Sequence, residues 1–135
     1  MRVNHLIIGC DDVEKSLVFY EVILDFTPLD IFMDTGTRRE GRILVKAQTD
    51  ELELLLVPFV EERLPSPQHI AFEVDSTEFD AILARAQDKK MNIRAMPPLD
   101  CQIKGVGTTE VRGKNFERFY LLDPARVNVE IMRLC

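Results

Sequence analysis

The 135-residue sequence predicts an α+β fold made of two copies of one β-α-β-β-β unit, and three observations carry that prediction. First, "NHLIIGCDDVE" (residues 4–14) recurs as "QHIAFEVDSTE" (68–78), which aligns His5 with His69, Leu6 with Ile70, Asp11 with Asp75 and Glu14 with Glu78 at a constant offset of 64. Second, each copy runs from an apolar strand into an amphipathic stretch free of Gly and Pro. Third, each half closes on an alternating strand that carries a glutamate, "ELELLLV" and "VNVEIM".

The opening strands come first. Leu6, Ile8 and Cys10 share one face and His5 the other; Ile70, Phe72 and Val74 oppose His69 in the same way. Both strands end at an Asp followed by D-x-x-E (Asp11/Glu14 and Asp75/Glu78), close to a capping box with acids that suit a helix N-terminus. The helices that follow carry Val13, Leu17, Tyr20 and Leu24 in the first half, and Phe79, Ile82, Leu83 and Ala86 in the second.

Further strands are expected at 27–32, 42–47 and 51–57, and again at 92–96, 116–122 and 127–132. "PFVEERLPSP" (58–67), with three prolines, reads as a linker. One domain of 135 residues is therefore expected, with module one at about 1–58, a linker at 59–67 and module two at about 68–135. Pairing Glu53 with Glu130 gives an offset of 77. The extra residues imply an insertion, placed in the Gly-containing loop 97–115.

Composition bounds the function. With 46% hydrophobic and 30% charged residues, the chain reads as a soluble globular protein. A formal net charge of −6 argues against nucleic-acid and anionic-membrane partners. No signal-like or membrane-spanning segment stands out, and three cysteines without CxxC spacing fit free thiols, so a cytoplasmic location is expected.

Leu52, Leu54 and Leu56 oppose Glu53, and Val127, Val129 and Ile131 oppose Glu130. Each half thus has an apolar face and a second face bearing a His and a Glu. If the halves close around a cup, His5, Glu53, His69 and Glu130 form a His₂Glu₂ donor set suited to a divalent transition metal.

These motifs resemble the vicinal-oxygen-chelate superfamily, which includes glyoxalase I, bleomycin-resistance proteins, fosfomycin-resistance enzymes, methylmalonyl-CoA epimerase and extradiol dioxygenases. "NHLIIGCDDVEKSLVFYEVILDF" is similar to the family's opening strand, helix and "LGF" turn. "QHIAFEV" is similar to the start of its second module and "FYLLDPARVNVEI" to its closing "DPxGxxxE". The family's glycines are Asp25 and Arg126 here, and the Asn that often follows is Val127. The resemblance implies two βαβββ modules forming a curved mixed-sheet cup around one divalent ion (Ni, Co, Zn, Mn or Fe) held by His5, Glu53, His69 and Glu130. It also implies modules paired within one chain or exchanged across a homodimer.

The expected function is a metal-dependent, glyoxalase-like lyase or isomerase acting on a small oxygen-chelating substrate. Metal-stabilised enolate chemistry would be served by Glu130 or Glu53 as base. Three alternatives stand beside it. An extradiol-type dioxygenase would use a His₂Glu triad with Tyr120 as acid/base, and a fosfomycin-type thiol transferase would use His5, His69 and Glu130. A non-catalytic drug-binding protein of the bleomycin-resistance type would need no metal. Candidate substrate contacts are Arg38 and Arg42 at a hairpin, with Phe119 and Tyr120 on the cup wall; Lys104, Arg112, Lys114 and Arg118 could meet an acidic group.

Overall fold

The computed structural model describes residues 4–34, 40–46, 52–58, 69–96 and 103–135. The chain divides into two compact units, Met1–Pro65 and Ser66–Cys135.

In the first unit the chain runs β1 (His5–Cys10), α1 (Val13–Val22), β2 (Phe26–Asp34), β3 (Glu40–Lys46) and β4 (Glu53–Pro58). Its sheet has the order β1-β4-β3-β2 and is mixed, with β1 parallel to β4 and the other pairs antiparallel. Period-two alternation sorts its faces: Ile8, Cys10, Leu54 and Leu56 are buried, whereas His5 and Ile7 are exposed. The helix α1 packs over β2, β3 and β4 with Leu17, Phe19 and Tyr20 buried. The Tyr20 ring meets Phe19 and Phe26 edge-on, at 5.1 and 6.3 Å between centroids. Each fully buried side chain of this size contributes about 1.5–3 kcal/mol.

The second unit runs β5 (His69–Glu73), α2 (Ser76–Asp88), β6 (Gly107–Val111), β7 (Lys114–Leu122) and β8 (Asn128–Leu134). Its mixed sheet has the order β5-β8-β7-β6, the same pattern as the first. Phe79 of α2 stacks edge-on against Phe119 of β7 at 5.0 Å, and Leu121, Val129 and Ile131 complete a dry face. Arg133 clamps the layer from outside. It donates to Glu117 of β7 and Asp80 of α2 while lying 4.3 Å from the Phe79 ring centroid. The α+β class and the two β-α-β-β-β units are those the sequence predicts.

Three details differ from the sequence reading. The N-cap of α1 is Asp12 and not Asp11; its side chain accepts from the Lys15 N–H at 3.1 Å, whereas Asp75 caps α2 as expected. Adjacent aspartates make that one-residue choice invisible in the pattern. The predicted strand at 92–96 forms only an isolated bridge, through Arg94, to Tyr120 and Lys104. The edge position of the sheet belongs to β6, inside the predicted loop. The tight turn at Arg112 (φ 51) and Gly113 (φ 77) joins β6 to β7, as positive φ at both central positions of a two-residue hairpin requires. No helix among the described residues is long and apolar enough to cross a membrane.

Candidate functional site

The parallel pairing of opening and closing strands sets which side chains meet. In the first unit His5 lies opposite Glu53 and Ile7 opposite Leu55. In the second, His69 lies opposite Asn128 and Ala71 opposite Glu130. Since Ile7 and Ala71 are repeat partners, the residue equivalent to Glu130 is Leu55, and the residue equivalent to Glu53 is Asn128. The expected Glu53–Glu130 equivalence is therefore off by two residues. A two-residue slip preserves which face each side chain takes, so alternation alone could not detect it. The repeat supplies a histidine in each unit but a carboxylate at the Glu130 position in the second unit alone.

Around that carboxylate the second unit builds a connected polar cluster. His69 Nε2 is 2.9 Å from Glu130 Oε2, with the imidazole side chain 45% exposed and the carboxylate only 8%. Arg118 donates through Nη1 to Glu130 Oε1 at 3.3 Å and to the Tyr120 hydroxyl at 2.9 Å. Tyr120 stands directly across the β7–β8 ladder from Glu130, its ring edge-on to His69 at 5.8 Å. Burial first, then the Glu130 charge and a hydrogen bond to it, push the Tyr120 phenol up to about 12; Arg118 opposes this. Tyr120 is thus a neutral proton donor at any ordinary pH. The side-chain Oδ1 of Asn128 is buried on the same strand face without a hydrogen-bond partner.

Phe119 points to the opposite side of β7 and is fully buried against Phe79, so it is a core residue and not a wall of this site. Arg42 is engaged by Glu14 of α1 at 3.2 Å. Arg38 falls outside the described residues. His5 is exposed, with Nδ1 held 2.9 Å from the Asn4 amide oxygen. Glu53 sits beside it, its backbone N–H donating to the Asn4 carbonyl. Among the described residues no group of three or more His, Cys, Asp or Glu side chains gathers in a metal-binding arrangement.

His69 and Glu130, with Nε2 and Oε2 2.9 Å apart, are nevertheless donors of the kinds that could hold a divalent ion together. Arg118, bonded to the other carboxylate oxygen, holds Glu130 in place.

The chain belongs to the Glyoxalase/Bleomycin resistance protein/Dioxygenase superfamily, whose sequence profile matches residues 2–131. Among solved structures it is similar to Oxidase ChaP-H2, with 22% identity, coverage of 98% of this chain and 93% of that one, and a TM-score of 0.72. A glyoxalase/dioxygenase from Nostoc punctiforme matches at 23% identity, 99% and 91% coverage and a TM-score of 0.67. TnmS3, an antibiotic binding protein from Streptomyces sp. CB03234, matches at 18% identity, 100% and 97% coverage and a TM-score of 0.68. At these identities the likeness is one of fold.

Proposed function

We propose that this protein is a metal-dependent oxidase or dioxygenase of its superfamily, acting on a small molecule that presents two neighbouring oxygens. The observation that carries this reading is the strand register. It leaves Leu55 at the position equivalent to Glu130, so the reading takes His69 and Glu130 as donors, with a second histidine, His5, at the position equivalent to His69. Two histidines and one carboxylate are the donors of non-haem Fe(II) oxygenases, which keep positions open for substrate and O₂. Bound there, the ion would polarise the substrate oxygens and bring O₂ beside them.

The chain's own residues supply the rest. Glu130 has one oxygen toward His69 and the other toward Arg118, which suits a fixed ligand better than a carboxylate that must swing between carbons as a base. Tyr120, held neutral across from Glu130, can donate a hydrogen bond to a substrate oxygen and return a proton to it. Oxidase and dioxygenase names among the similar structures support the same class.

The test loads tag-free protein with Fe²⁺ anaerobically and follows O₂ consumption with catechols and hydroquinones. Uptake that needs both metal and substrate supports the proposal. Turnover of a hemithioacetal under argon, without O₂ uptake, would replace it with the lyase or isomerase reading.

A second reading is favoured by the His69–Glu130–Arg118–Tyr120 network, whose side chains bond to one another directly. It makes the protein a small-molecule binder, the class to which the antibiotic binding protein belongs. Protein that stays metal-free after incubation with Fe²⁺, Mn²⁺, Co²⁺, Ni²⁺ and Zn²⁺ selects it.

A further inference from the structure

We infer that Arg94, together with Arg118, forms an oxyanion-recognition subsite beside the His69–Glu130 pair, and that the ligand of this protein carries a carboxylate or a phosphate-type group. The inference rests on the proposed function only in placing that ligand on the Glu130 face.

Arg94 is 5% exposed, and its Nε and Nη2 atoms are buried without any hydrogen-bond partner. An arginine stays charged at all relevant pH, and a buried charge without a partner is among the costliest arrangements a fold can hold. The backbone fixes where it stands. Arg94 bridges Tyr120 antiparallel, donating its N–H to the Tyr120 carbonyl at 3.2 Å and accepting the Tyr120 N–H at 2.8 Å. Directly opposed residues share a sheet face. Tyr120 in turn opposes Glu130, and Glu130 opposes Ala71, so one row crosses the sheet as Ala71, Glu130, Tyr120, Arg94. A side-chain contact agrees: Met96, two residues beyond Arg94, meets Arg118, two residues before Tyr120, at 3.8 Å from Sδ to Nη2.

The unpartnered atoms are informative. Nε and Nη2 are the two donors along one edge of the guanidinium, the fork that grips both oxygens of a carboxylate or two of a phosphate. Arg118 adds a second buried, unpartnered Nε on the same face. Its Nη2 is occupied only by a thioether, a weak acceptor that an anionic oxygen would displace. Among the described residues Glu130 is the acid bonded to Arg118, so in this cluster two guanidinium charges stand against one carboxylate. An incoming oxyanion would balance them and satisfy the open Arg94 edge.

The test uses full-length protein stripped of metal by chelator, so that no anion can bind through an ion. Benzoate and inorganic phosphate are titrated calorimetrically, with benzamide as the neutral shape control. Saturable binding of one oxyanion, absent with benzamide, is expected, and the stronger of the two names the group. Arg94→Met should weaken that binding roughly 10- to 100-fold, as loss of a bidentate charged contact does, and should leave the melting temperature unchanged or raised. A structural role for Arg94 would lower it. Arg94→Lys keeps the charge without the fork and should also bind about tenfold more weakly; it decides alone if the Met variant does not fold. Absence of binding by either oxyanion, or unchanged affinity in Arg94→Lys, overturns the inference. Failure of metal binding or of O₂ uptake leaves this result untouched and removes only the proposed function.

Discussion

Glu130 and Leu55 occupy equivalent positions in the two halves of the chain, one carrying a buried carboxylate hydrogen-bonded to a histidine and the other a half-buried hydrocarbon. The repeat is thus symmetric in fold and asymmetric in chemistry. The second unit assembles an acid, a histidine, a phenol and an arginine on one face, and the first carries a leucine at the position equivalent to the acid.

Removing Arg118 should loosen that assembly while sparing the fold. Arg118→Met takes away the donor to Glu130 Oε1 and to the Tyr120 hydroxyl. Metal affinity should fall about 10- to 100-fold, the usual effect of losing a residue that orients a ligand. Calorimetric titration with Mn²⁺ checks it.

Tyr120 should resist ionisation. In chelator-treated protein, the tyrosinate absorbance of wild type minus that of Tyr120→Phe should show no step near the ordinary value of 10.0 and should rise only toward 12. The sign for stability follows: a phenol whose pKa is raised by folding contributes fully below pH 10.0, and that contribution is lost as pH climbs toward 12. A Tyr120 step near pH 10 would contradict the burial and the Glu130 contact.

Arg126 has φ 65 and Asp25 φ 59, left-handed conformations that cost a side-chain-bearing residue about 1–2 kcal/mol. Arg126 closes a turn in which Asp123 accepts the Arg126 N–H through its carbonyl and the Val127 N–H through its carboxylate. Arg126→Gly should therefore stabilise the protein by about 1 kcal/mol in chemical denaturation.

Gly107 is confined by contact and not by its φ. A Cβ there would lie 2.9 Å from the Ala95 carbonyl oxygen and 3.0 Å from the Ala95 Cβ. Gly107→Ala should destabilise the chain by about 1–3 kcal/mol, as overpacking does, read as a lower denaturation midpoint. Because Ala95 adjoins Arg94, oxyanion affinity should weaken as well.

Most of the fold was legible because it is written in alternation and repetition. The recurrence of His5 as His69, and the opposition of Leu54 to Glu53, needed only the two-residue period of a strand. What stayed hidden shares a physical cause. Register along a strand pair is set by turns and packing, so taking Glu130 and not Asn128 as the counterpart of Glu53, a two-residue slip, leaves every side chain on its expected face. The hairpin turn at Arg112–Gly113 lacks the usual Asn or Asp, so nothing in the pattern separates β6 from a loop. No motif marks Arg94; it enters the site only through its bridge to Tyr120. Phe119, adjacent to Tyr120, necessarily faces the other way, a consequence of parity that places it in the core.

Metal stoichiometry decides whether one ion is held through His69 and Glu130 without Glu53. Tag-free protein is incubated anaerobically with Fe²⁺, desalted and analysed by elemental mass spectrometry beside His69→Ala, Glu130→Ala and Glu53→Gln. One ion per chain is predicted for wild type and Glu53→Gln, with loss of metal from His69→Ala and Glu130→Ala. Metal-free wild type, or loss of metal in Glu53→Gln alone, would show that His69 and Glu130 do not hold the ion in this way.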